Sequence, residues 1–128
     1  MLTPEYRRES EYFAEYQANY CIDSAFLKGF DKRIYAERAK AKARGDDYSV
    51  AYTEHWLDYV LKSGANWKGP IKDFRLVVDK EKPANLLSFC MDGVKKISPT
   101  RFEVRKSNFE PTRDIQILIA EFYDPNAL

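Results

Sequence analysis

The chain of 128 residues holds a single histidine, His55, and two cysteines, Cys21 and Cys90. That inventory cannot supply the four nitrogen or sulfur ligands of a structural zinc site, so no metal is expected. Glycine is scarce, at five residues. No Walker loop, dinucleotide-binding glycine fingerprint or nucleophile elbow occurs, so no cofactor and no catalytic residue is assigned by motif. No apolar run approaches the roughly 18 residues of a membrane-spanning helix. The opening Met1-Leu2-Thr3-Pro4-Glu5 has no basic stretch followed by an apolar run and does not read as a signal peptide. No asparagine is followed two residues later by Ser or Thr, which excludes N-glycosylation acceptors. Excess charge is missing too. The chain carries 21 basic and 20 acidic residues, which divide as 9 and 9 over 1–47 and 12 and 11 over 48–128. The net charge of +1 removes the usual electrostatic argument for nucleic acid.

Aromatic residues are plentiful: nine Tyr, eight Phe and two Trp. They point to strands and broad aromatic contacts rather than a helical bundle. Apolar residues at 45% with charged residues at 32% fit a chain that buries a core. The first part reads as helical. Thr3 can cap a helix with Pro4 in its first turn. Tyr6, Phe13, Tyr16 and Tyr20 follow at helical spacing. A second helix starts at Asp23 or Ser24, with Phe26, Leu27, Phe30 and Ile34 as its apolar stripe. Its alanine-rich, charged tail runs to Arg44, and Gly45 is a stop signal.

From Tyr48 the period changes to two. Strands are expected over Tyr52 to Leu61, Asp73 to Asp79, Leu86 to Met91, Arg101 to Lys106 and Arg113 to Tyr123. Ile115, Ile117 and Ile119 fall on one face of the last, and Leu118 and Phe122 on the other. Asp92-Gly93 reads as a hairpin turn, with pairing resumed at Lys95 to Ile97. The fold class is therefore α+β, a single domain over 1–128. Helices over 4–45 precede a mainly antiparallel five-stranded meander over 48–123, the alternative being a sandwich whose second sheet lies outside this chain.

Several residues are candidates for chemistry. Glu54, His55 and Asp58 are the titratable set clustered on one strand, and acid–base work by them is the enzymatic alternative. Alternation puts Glu54 and His55 on opposite faces, which favours a structural role for the histidine. The basic stretch Lys28 to Arg44 reads as a solvated helix face. Trp67, between Gly64 and Gly69-Pro70, is a loop aromatic suited to stack on a sugar or grip a partner, set against folding back to plug the sheet. Trp56, Phe74, Phe89 and Phe102 read as core. Pro99-Thr100-Arg101 and Pro111-Thr112-Arg113 each precede a strand, and Arg101 and Arg113 join Trp67 as candidate binding residues. Spacing alone leaves Cys21 and Cys90 open to two readings, a disulfide closing a long loop or two buried thiols.

The run from Tyr59 through Trp67-Lys68-Gly69-Pro70-Ile71 to Phe74-Arg75-Leu76 carries a resemblance. So do Ser88-Phe89-Cys90, Val94 to Glu103, Asn108-Phe109-Glu110-Pro111 and Asp114 to Ile119. With Tyr20-Cys21-Ile22-Asp23 upstream, they resemble the C-terminal portion of a bacterial domain-of-unknown-function family, family 4424, whose members are exported proteins. The resemblance implies a longer parent protein, a periplasmic or secreted location and a Cys21–Cys90 disulfide. It brings no catalytic residues. The function expected on these grounds is a non-enzymatic binding or scaffold module with a protein or glycan partner in the cell envelope. A cell-envelope enzyme and an oligomerisation module are the alternatives.

Overall fold

The computed structural model describes residues 1–45, 52–60 and 69–122; residues 46–51, 61–68 and 123–128 lie outside the described set. Among the described residues there are three helices and six strands. Helix α1, Pro4–Glu9, begins as the sequence requires: the Thr3 hydroxyl accepts from the Tyr6 N–H and Pro4 lies in the first turn. It ends at Ser10, whose backbone is extended. The Ser10 hydroxyl then accepts from the Tyr12 N–H, and α2 follows over Phe13–Tyr20. The aromatic spacing from Tyr6 to Tyr20 thus belongs to two helices. A serine side chain offering the backbone a local bond ends the first.

Helix α3, Ser24–Ala43, is capped by the Asp23 carboxylate, which accepts from the Phe26 N–H at 2.8 Å. Phe26, Phe30 and Ile34 are its buried stripe. It gives way at Arg44 and Gly45, the glycine taking a left-handed φ of 74°. Two paired arginines lash α1 across α3. Arg7 forks onto Asp31 at 2.7 and 2.8 Å, and Arg38 onto Glu5 at 2.9 and 3.0 Å.

The strands are β1 (Tyr52–Tyr59), β2 (Ile71–Asp79), β3 (Leu86–Phe89), β4 (Lys95–Lys96), β5 (Arg101–Phe109) and β6 (Ile115–Phe122). All pairings are antiparallel. They build two three-stranded sheets, ordered β1-β6-β3 and β2-β5-β4. The class is α+β as expected, but the single five-stranded meander is not what forms. Only β4 and β5 are neighbours both in sequence and in a sheet; β1 pairs with β6 and β2 with β5. Asp92-Gly93 does not close a hairpin. It lies where the chain leaves the first sheet at β3 and joins the second at β4.

Strand β6 explains the arrangement. Leu118, Ala120 and Phe122 on one face join Phe26, Phe30, Ile34, Tyr20, Ile22 and Leu2 in one buried cluster. Ile115, Ile117 and Ile119 on the other face join Val78, with Phe74 and Leu76 of β2 packed alongside. A strand apolar on both faces needs cover on both faces. Here the helices cover one and the second sheet covers the other, giving three layers with β6 at the centre.

Candidate functional site

Strand β1 alternates, so Tyr52, Glu54, Trp56 and Asp58 share the face turned to the helices, while His55 shares the opposite face with its β6 partner Ile119. Trp56 meets α2 through two rings one helical turn apart. Its ring is edge-on to Tyr16 at 5.2 Å and tilted against Tyr20 at 5.9 Å. Tyr16 and Tyr20 are stacked at 6.4 Å. Tyr20 is buried, yet Trp56 remains 42% exposed and Tyr12 61%.

These rings, with Tyr6, wall an open cleft of about 510 Å³ between α1, α2 and β1. The remaining lining side chains are polar: Glu15, Asn19, Asp58 and Gln116. Asp58 and Gln116 stand directly opposite in the β1–β6 register. Burial raises the phenol pKa of Tyr16 and of Tyr20. The Asp58 charge adds to the rise at Tyr20, and Tyr6, Glu54 and Glu15 add to it at Tyr16. Both phenols are therefore neutral hydroxyls over the ordinary pH range. Among the described residues the cleft offers flat aromatic faces, two carboxylates, two amides and no cation.

The acid–base trio does not assemble. Glu54 is inward, held by the Tyr52 hydroxyl at 3.1 Å, while its Oε1 is buried without a partner. His55 lies across the sheet, 3.9 Å from Glu121, which also receives Lys82 at 3.4 Å. Of the three, Asp58 alone lines the cleft. Among the described residues, no group of three or more His, Cys, Asp and Glu side chains is placed as metal ligands would be.

Cys21 and Cys90 are joined in a disulfide, with Cα atoms 5.1 Å apart. It fastens the C-terminal end of α2 to the residue after β3. Other groups bind the same helix end. Ser88 donates to the carbonyls of Tyr20 and Cys21 at 2.8 and 3.1 Å, and Arg113 donates to that of Asn19 at 3.1 Å. A cation and a hydroxyl thus satisfy carbonyls that helix geometry leaves open. Arg113 also lines a second cavity of about 440 Å³ beside the disulfide, with Lys106, Phe89 and Phe109 among its walls. Arg101 is elsewhere, at the start of β5, paired with Asp79 at 3.4 Å. The two arginines therefore share neither a site nor the aromatic cleft. Trp67 lies outside the described residues.

The profile of the family described as a domain of unknown function, DUF4424, matches residues 2–118. The chain belongs to the DUF4424 family. No curated protein and no solved structure gives a match. Within this DUF4424 chain, Trp56 departs from the core position expected of it, its indole being half open to solvent. A large aromatic on an alternating strand gives no sign of which atoms stay wet. The available signal was the company it keeps, tyrosines at 12, 16 and 20 on one side of α2, residues that pair an apolar ring with a polar tip.

Proposed function

We propose that this domain is a non-enzymatic, extracytoplasmic binding module whose ligand is a cell-envelope glycan seated in the aromatic cleft. The observation that carries the reading is Trp56, a 42% exposed indole set among tyrosines at the wall of an open cleft. Aromatic faces suit the apolar faces of sugar rings, and carboxylates and amides suit their hydroxyls, as acceptors and donors respectively. The disulfide supports the compartment, because such bonds persist where the surroundings are oxidising. No helix among the described residues is long and apolar enough to cross a membrane. The resemblance to exported proteins points the same way.

The test uses fluorescence. Trp56 and Trp67 are the two tryptophans, so Trp67→Phe leaves Trp56 as the single reporter. Titration with solubilised envelope glycans is expected to give a saturable change in its emission. Trp56→Ala in the wild-type chain, followed calorimetrically, is expected to weaken binding at least about tenfold with the thermal midpoint checked in parallel. If none of these glycans gives a saturable signal at millimolar concentration, the reading fails.

A further inference from the structure

The charge of the cleft narrows the ligand further. Building on the glycan reading, we infer that the aromatic cleft selects sugars bearing a free, protonated amine over their neutral N-acetylated counterparts. Five aromatic rings line the cleft, and among the described residues its charged side chains are the carboxylates of Glu15 and Asp58. Both side chains lie on exposed residues, and neither has an ion-pair partner among the described residues. Glu54, on the same face of β1, is already taken up by the Met1 ammonium at 3.3 Å and the Tyr52 hydroxyl at 3.1 Å.

Other carboxylates are neutralised by basic side chains, as Glu5 is by Arg38, Glu37 by Arg33, Glu103 by Arg75 and Asp79 by Arg101; those of the cleft are left for a ligand. An ammonium group is drawn to the negative faces of Trp and Tyr rings as well as to carboxylates. A cleft built of both, with no cation among its described residues, rewards a positive ligand twice. A neutral acetamido sugar keeps the ring stacking and forgoes both electrostatic contributions. An acidic sugar meets two like charges and is disfavoured.

The probes are two tetrasaccharides, one of glucosamine and one of N-acetylglucosamine, at a pH where the sugar amine is protonated. Affinity is read by calorimetry on the full chain. Glucosamine tetrasaccharide is expected to bind about tenfold more tightly. Raising the salt concentration is expected to shrink that ratio, because both carboxylates are exposed. The Glu15→Gln/Asp58→Asn double variant is expected to bring the two affinities together by weakening the glucosamine ligand far more than the N-acetylated one, with the thermal midpoint unchanged. Equal or tighter binding of the N-acetylated ligand overturns the amine selectivity and leaves the glycan reading standing. Absence of binding by both overturns the two together. A double variant that keeps the tenfold ratio overturns the assignment to Glu15 and Asp58.

Discussion

Tyr52 shows how much one side chain settles here. Its ring lies 5.1 Å from that of Phe30 and 5.7 Å from that of Phe122, in the cluster between helices and sheet. Its hydroxyl donates to Glu54 at 3.1 Å and accepts from the Leu2 N–H at 3.2 Å. Burial pushes the phenol from 10.0 up to about 12, with the Glu54 charge adding to the shift. The raised value makes stability depend on pH in one direction. Below 10.0 both folded and unfolded chains keep the proton; between 10.0 and about 12 the unfolded chain releases it while the folded one holds it. Stability therefore falls as pH rises through that window and levels off above it. The thermal midpoint, followed by circular dichroism, is expected to drop across this alkaline range in the wild type. The drop should be shallower in Tyr52→Phe, with Tyr16 and Tyr20 supplying the remainder. An unchanged slope in the variant would refute the assignment. At neutral pH the same substitution is expected to cost about 1 kcal/mol for the lost hydroxyl bonds.

At the scale of elements, α3 is the part most fully written in the sequence. Its cap, apolar stripe and stop are local signals, and each is met: Asp23, then Phe26, Phe30 and Ile34, then Gly45. Removing the cap in Asp23→Ala is expected to lower stability by about 1 kcal/mol in urea titration, with Asp23→Asn recovering most of it. If alanine and asparagine behave alike, the cap contributes nothing measurable. The strands were legible in a more limited way. Periodicity located all five expected strands and even divided β6 into its two apolar faces, because alternation is a property of a residue's immediate neighbours. It does not name a partner. Short turn signals made neighbouring strands look paired, whereas β1 finds β6 and β2 finds β5. The stronger clue lay in β6 itself, whose two apolar faces call for a layer on each side. The cleft was the least legible feature. It is made by bringing α1, α2 and β1 together, and no local pattern records that meeting.

Across the whole molecule, the Cys21–Cys90 bond ties the helical layer to the first sheet over a sequence separation of 69. Chain-entropy reasoning gives such a cross-link about 4 kcal/mol of stability, through the freedom it removes from the unfolded chain. Reduction, or the double variant Cys21→Ser/Cys90→Ser, is expected to lower the unfolding free energy by about that amount in denaturant titration. A loss below about 1 kcal/mol would show that Ser88, Arg113 and the apolar contacts hold the α2 end unaided.

The nested pairing bears on how the chain acquires its shape in time. Tyr52 waits for Phe122, and Tyr59 for Ile115. Whether the chain emerges from a ribosome or a translocation channel, β1 arrives first and has no partner until β6 follows. The helices lack the strand they cover, since Leu118, Ala120 and Phe122 complete their cluster. Contacts this distant in sequence form slowly, and unpaired strand edges invite the wrong neighbour in the interval. Closure of the first sheet and of the helical cluster thus waits for β6, the last strand among the described residues, while β2, β4 and β5 can pair without it.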